Sequence, residues 1–412
     1  MPTLAINGGA KVREEGWPQW PPDDPGFLEN LKAVLESGVW GTGGEWTQRA
    51  TQMMCEHHGA RYGVALSSGT TALDVALRSV GVKPGTEVIV PPYTFIATAS
   101  SVVSVGAIPI FVDIDPDTFN LDHTKIEDAI TEHTSAIIAV HIGGSPAAMD
   151  EIMAIARRHG LKVVEDCAQA HGAIYKERRI GAIGDAGAFS FQSSKNVTSG
   201  EGGMVLTNDA EVFSRSWSIH NCGRVPEGEW YDHRVMGWNH RLTQFQGALL
   251  CRCMELLPEQ FERRARNGDH LRARLQDIDG IELQQLTDPS NVSAFHLYIF
   301  KYDAAAFEGL SRESFLAALG AEGVYAARGY NPLYREGVFA GNVHMDEFPF
   351  AGRYYEGHVD YSQVSCPACE HICDAGGFWM PQRYGLADEQ AMDDIVDAMI
   401  KIRDNLGELK EA

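Results

Sequence analysis

Residues 186–207, Ala-Gly-Ala-Phe-Ser-Phe-Gln-Ser-Ser-Lys-Asn-Val-Thr-Ser-Gly-Glu-Gly-Gly-Met-Val-Leu-Thr, decide the reading of the chain. An apolar, strand-like run from Ala186 to Phe191 ends in small polar residues and Lys195, and a glycine-rich turn then feeds a second strand-like run from Met204 to Thr207. A lysine just past a buried strand is half desolvated, which lowers its pKa and makes the neutral, nucleophilic amine accessible. That is what a lysine forming a Schiff base with an aldehyde needs. Glycines beside it let backbone pass close to a flat ring.

Upstream, from Tyr62 to about Ala210, one pattern repeats: a short apolar run, a polar turn, an amphipathic helix. Strands are expected at Val64–Leu66, Glu87–Val90, Ile108–Val112, Ala136–Val140, Lys162–Val164, Ala186–Phe191 and Met204–Leu206, and helices at Thr70–Val80, Ala97–Val105, Thr124–Ile130 and Ala147–His159. Such alternation predicts an α/β fold with a seven-stranded, mostly parallel sheet covered on both faces, with ligands bound outside the carboxyl ends of its strands. Residues 1–45, rich in Trp and Pro, read as an arm with one helix near Phe27–Glu36. A long helical pattern over Leu242–Leu275, broken or kinked at Pro258, bridges to a smaller α+β part. There the expected elements are strand-like Ala294–Tyr302, helical Ser311–Leu319, strand-like Gly323–Ala326 and a closing helix from Asp388 to Leu406. The expected division is an arm and large domain over 1–255 and a bridging helix and small domain over 256–412.

A chain of 412 residues is too long for one compact core and fits this division. Its formal charge of −22 argues against nucleic acid or an anionic membrane as the main partner, though not against a local phosphate pocket. No basic region leads into an apolar run at the N-terminus, and no apolar stretch reaches the ~18 residues of a membrane span, so a cytoplasmic protein is expected. Of the eight cysteines, Cys366, Cys369 and Cys373 crowd together beside His371, but no second ligand pair follows at zinc-site distance. The expectation is a short helix or turn that uses cysteine as a small apolar residue, with no metal.

Three further stretches could carry chemistry. SSGTTAL (67–73) ends the first strand and opens a helix, presenting free amides and a favourable dipole to an anion; the plain alternative is a helix cap. EDCAQAHGA (165–173) places Asp166 at the end of an apolar strand, where a buried carboxylate needs a cationic partner, such as a protonated pyridine nitrogen. A helix cap or, with His171, a metal ligand are the other readings of Asp166. PPYTF (91–95) puts aromatics where a cofactor ring could stack, or simply in the core.

Together with FSFQSSKNVTSGEGG (189–203) and GWNHRLTQFQGALL (237–250), these motifs make the chain resemble the DegT/DnrJ/EryC1/StrS aminotransferases, enzymes of fold type I that depend on pyridoxal 5'-phosphate. The resemblance runs from about Phe27 to the C-terminal helix. Within the family, Ala5-Ile6-Asn7-Gly8-Gly9, WPQWP (17–21) and Cys366-Pro367 look most like the subgroup acting on keto-cyclitols of the scyllo-inosose kind and the aminohydroxybenzoate synthases. The resemblance implies that Lys195 holds the cofactor and shuttles a proton, and that Asp166 pairs the pyridine nitrogen. Gln169 would lie near the ring hydroxyl, Phe95 would stack on the ring, and Gly69, Thr70 and Ser190 would form the phosphate cup. Asn239 would reach the phosphate of the neighbouring subunit, so that a homodimer shares its active sites. His296 is expected to be structural and His171 a polar neighbour without a catalytic role. The implied reaction moves an amino group from L-glutamine or L-glutamate to a keto-cyclitol or keto-sugar. The alternatives are a nucleotide-linked keto sugar as acceptor, a dehydrating enzyme, or a non-catalytic regulatory protein. Substrate contacts are expected on Trp40, Thr42 and Glu45 and on Arg328-Gly329-Tyr330-Asn331.

Overall fold

The computed structural model describes residues 3–342 and 344–409. Helices α1 (Pro25–Ser37) and α2 (Glu45–His58) precede β1 (Tyr62–Leu66). Then follow α3 (Gly69–Val80), β2 (Glu87–Val90), α4 (Ala97–Ser104), β3 (Ile108–Phe111), β4 (Thr134–Val140), α5 (Met149–His159) and β5 (Lys162–Asp166). A small hairpin of β6 (Ile174–Tyr175) and β7 (Arg178–Arg179) leads to β8 (Ala186–Ser190), β9 (Gly203–Thr207) and α6 (Ala210–His220). The long α7 (Gln244–Arg274) is followed by β10 (Ile281–Leu283), β11 (Leu297–Tyr302), α8 (Arg312–Ala321), α9 (Pro367–His371), β12 (Gly377–Pro381) and α10 (Glu389–Asp404).

Seven strands form one sheet in the order β1-β9-β8-β5-β4-β2-β3. Strand β9 runs antiparallel to both neighbours, and the remaining pairings are parallel. Every residue of β8 and β9 is buried, as expected of strands covered on both faces. Alternate side chains of β4 enter separate cores: Ile138 packs with residues of α3, α4 and α6, and Ile137 with residues of α2, α5 and α7. A second, antiparallel sheet, β10-β11-β12, packs with α8 and α10 into a third core. That core also takes Leu4 from the N-terminal segment, whose amide donates to Glu408 Oε2 at 3.0 Å.

Three local expectations need correction, and one element went unread. The helix expected over Thr124–Ile130 is two short 3-10 turns, because Ile126 alone is buried there and no apolar stripe holds a longer helix. Pro258 does not break α7, which runs for 31 residues; its buried face, including Leu257 and Phe261, outweighs one missing amide bond. Gly323–Ala326 is not a strand. Gly323 turns with φ +96°, and a Cβ there would lie 2.1 Å from the Arg13 carbonyl oxygen, so the N-terminal segment occupies the space a strand partner would need. Helix α2 was not expected at all, although Trp46, Ala50, Met54 and His58 recur every fourth residue and are all buried.

The cysteine-rich stretch does form a short helix whose cysteines pack as small apolar residues. Cys366, Cys369 and Cys373 are buried in one apolar core with Tyr93 and Phe111, and α9 caps its N-terminus on Asp113, which accepts from the Ala368 and Cys369 amides at 3.1 and 3.0 Å.

Candidate active site

Strand register builds the site. Leu66 lies opposite Gly203, Gly203 opposite Ser190, and Ala188 opposite Asp166. The turns after β1, β5 and β8 therefore open at one sheet edge, onto a cavity of about 550 Å³. The cavity gathers Gly69, Thr70, Phe95, Asp166, Gln169, Ser190 and Lys195. It does not take in Asn239, which is exposed and pairs through backbone with Asn221.

Close approach at this edge depends on glycine. A Cβ on Gly69 would sit 2.5 Å from Ser190 Cβ, and one on Gly203 would sit 2.1 Å from the Ser68 carbonyl oxygen. Helix α3 begins here with Ser68 as its cap, the Ser68 hydroxyl accepting from the Thr71 amide at 3.1 Å. The first-turn amides of Gly69 and Thr70 have no intrahelical acceptor, and with the Ser190 hydroxyl they form a cradle for an anion.

Asp166 is buried and under-served. It accepts from Thr98 Oγ1 at 2.9 Å and from the Ala168 amide at 3.1 Å. Burial pushes its carboxyl above the usual carboxylate range, against the pull of those bonds and of the Lys195 charge. Lys195 is half-buried in the same cavity, and burial lowers its pKa more than Asp166 raises it. Its Nζ has no hydrogen-bond or ion-pair partner among the described residues. An acid wanting a cation thus shares a cavity with an amine biased toward neutrality.

Gln169 is fixed by two bonds, accepting from the Gly143 amide at 2.7 Å and donating to Tyr330 Oη at 2.9 Å. Phe95, 55% exposed, lines the cavity. His296 also lines the cavity and meets Asn196 Oδ1 through Nδ1 at 3.2 Å. His171 is fully buried against Phe189 and Phe191 and does not line the cavity.

Of the expected substrate contacts, Tyr330 lines the cavity, while Trp40, Thr42 and Glu45 do not. Trp40 packs on Phe245, and Thr42 lines a separate hollow of about 580 Å³ beside β1. Asn331 donates to Glu336 instead, and Arg328 is exposed outside the cavity. Sequence reasoning missed Thr98 and Trp379. Thr98 was signalled by its spacing from Thr94, with which it shares a 3.0 Å hydroxyl contact. Trp379 had no such signal, because β12 is hidden between Gly377 and Pro381.

Among the described residues, His141, Glu165 and Cys167 form the one cluster with metal-ligand chemistry. Glu165 is already saturated by backbone amides, and burial pushes the Cys167 thiol far up, away from the thiolate a metal binds.

The profile of the DegT/DnrJ/EryC1/StrS aminotransferase family matches residues 22–375. The chain belongs to that family. It is 37% identical over 431 residues to an L-glutamine:2-deoxy-scyllo-inosose aminotransferase of Micromonospora echinospora, covering 100% of both chains. It is 36% identical to the L-glutamine:scyllo-inosose aminotransferase of Streptomyces griseus over 423 residues, covering 99% of each. Among solved structures, 3-amino-5-hydroxybenzoic acid synthase superposes with a TM-score of 0.82 at 30% identity, over 94% of this chain and 99% of the other. The α/β architecture is that of this aminotransferase family.

Proposed function

We propose that the chain is a pyridoxal 5'-phosphate-dependent aminotransferase that takes an amino group from L-glutamine and delivers it to the ketone of a scyllo-inosose-like cyclitol. The observation that carries this reading is the pairing, in one cavity, of an unpartnered Lys195 with a carboxylate, Asp166, that lacks its cation. Whole-length similarity to glutamine-dependent cyclitol aminotransferases supports the donor and the acceptor. The alternative readings, a nucleotide-sugar acceptor, a dehydrating enzyme and a regulatory protein, have no observation of their own here.

The residues fit the cofactor. Its phosphate suits the first-turn amides of α3 and Ser190, where a Cβ on Gly69 would fill the cradle. Its cationic ring nitrogen suits Asp166, and its ring face suits Phe95. When bound, the cofactor supplies an electron sink for the charge left by a departing proton. Asp166 would keep a proton on the ring nitrogen, with Thr98 donating to its carboxylate to orient it. Lys195 would hold the cofactor through Nζ, the one amine among the described residues that line the cavity. Biased to the neutral form by burial, that Nζ would serve as the base for the donor's Cα proton and as the acid that hands it on. Gln169, braced by Gly143 and Tyr330, would orient the ring hydroxyl.

We further propose a homodimer in which Asn239 completes the partner's phosphate site. Exposure of Asn239 beside Trp230, Tyr231, Met236 and Trp238 supports this. A division near residue 255, within α7, is likewise proposed; the third core, made largely of residues from Leu271 onward, supports it.

Absorbance spectra of the wild type and Lys195→Ala, before and after L-glutamine, test the reading. The wild-type cofactor band should shift to that of the amine form and be restored by a keto-cyclitol. The variant should do neither, with turnover lower by about four orders of magnitude. A wild-type band that no amino donor moves would refute the proposal.

A further inference from the structure

A second chamber, of about 370 Å³, adjoins the Lys195 cavity and shares Ser194, His296 and Leu297 with it. Its other walls are Ser193 and the two ends of the chain: Trp20 and Pro21 of the WPQWP segment, Pro381 at the end of β12, and Gln382 and Arg383 just after it. The arm is tied down here. Trp20 Nε1 donates to the Ser193 carbonyl oxygen at 3.0 Å, and Trp17 stacks on Tyr384 with ring centroids 3.6 Å apart. The segment that the cofactor chemistry leaves unused is therefore the wall of a compartment two residues from Lys195.

The compartment is cationic in a strongly acidic chain. Arg383 lines it and has no carboxylate partner among the described residues. Behind Gln382 lies Arg264, which is 0% exposed. Its Nε and Nη2 donate to Gln382 Oε1 at 3.0 and 2.5 Å, while Nη1 is buried without a partner among the described residues. Burial lowers Arg264 only to about 10, so it stays charged at neutral pH. Its guanidinium also lies 5.2 Å from the Trp20 ring centroid. A buried guanidinium without a carboxylate is costly unless something anionic comes near.

We propose that this chamber receives the α-carboxylate of the amino donor, with Arg383 binding it and Arg264, through Gln382, positioning the wall. The inference rests on the aminotransferase reading. Any α-amino acid carries its carboxylate on the very carbon whose proton Lys195 must take, so an anion subsite has to lie close to that lysine. A keto-cyclitol is an uncharged polyol and gives a guanidinium pair nothing to neutralise. The two substrates share the lysine and diverge at Ser194 and His296: the donor's charged end turns into the chamber and the acceptor's hydroxyls stay in the main cavity.

The test compares cofactor-loaded wild type with Arg383→Gln in separate half-reactions followed by absorbance. For L-glutamine, kcat/KM should fall by about tenfold to a hundredfold, the range of one lost charge-assisted contact. The ketone half-reaction, started from protein loaded with pyridoxamine phosphate, should change by less than about twofold. L-Glutaminamide, which lacks the carboxylate charge, should react equally with both proteins. Calorimetric binding of α-methyl-L-glutamine, which has no Cα proton to lose, should weaken in parallel, and Arg383→Lys should restore part of it. Equal losses for glutamine and its amide, or no loss for either, would overturn the subsite while leaving the aminotransferase standing. A wild type inert to L-glutamine would bring down both.

Discussion

Glu165 and Asp166 are consecutive, both buried, and face opposite sides of β5. Glu165 accepts from the amides of Gly181, Ile183 and Gly184 at 2.8, 2.7 and 2.8 Å and from His141 Nε2 at 3.1 Å. His141 Nδ1 accepts from the Ala147 amide at 3.0 Å, which assigns the ring proton to Nε2 and lets it donate to Glu165. Burial works to raise Glu165, but these donors win and its pKa is lowered. Asp166 has one hydroxyl and one amide, burial wins, and its pKa is raised. The difference teaches which acid is for the fold and which for a ligand. A buried carboxylate whose oxygens are filled by its own chain is structural; one left short of donors waits for a cation.

Four substitutions test that contrast. Asp166→Asn should lower kcat/KM by about a hundredfold to a thousandfold if Asp166 is the counter-charge proposed for the cofactor's ring nitrogen. Raised in the folded state, the Asp166 carboxyl costs stability above its unfolded pKa of about 3.9, so the cofactor-free variant should melt no lower than wild type at pH 7. A clear fall in its melting temperature would place Asp166 with the structural acids. Glu165→Gln should do the reverse, costing about 3 kcal/mol of stability because an amide NH₂ must face backbone donors, with little change in turnover per folded molecule. The stability from Glu165 is present above its unfolded pKa of about 4.3 and lost as pH falls through its lower folded value. Urea unfolding curves of the two proteins should therefore converge toward pH 3. Thr98→Val should reduce kcat/KM about tenfold by freeing the Asp166 carboxylate, and steady-state rates decide it. The smallest effect expected is that of His141→Asn, about 1 kcal/mol in chemical denaturation with kinetics unchanged. A kinetic defect there would show that the two faces of β5 are coupled.

Much of the large sheet was legible because its strands are short apolar runs punctuated by turn residues, and β2 came out at its full length, Glu87–Val90. The motifs around Lys195, Asp166, Gly69 and Phe95 were legible for the same reason: each follows a strand that ends at one sheet edge. The small sheet was half hidden. Strand β10 has only three residues, and β12 lies between glycine and proline, so neither shows a period. Thr124–Ile130 misled in the other direction, since its polar helical look has only Ile126 to bury.

The sequence by itself determined the alternating architecture and the strand-end positions of Lys195 and Asp166, because hydrophobic period and strand-end residues are local properties of the chain. Tertiary structure alone decided that Glu165 is satisfied and Asp166 is not. The amides that fill Glu165 lie at residues 181–184, and the hydroxyl that holds Asp166 is on α4. It also decided that the WPQWP segment and Arg383, 362 residues from Pro21, wall one chamber. Partners that far apart in the chain meet through packing, which no local pattern records.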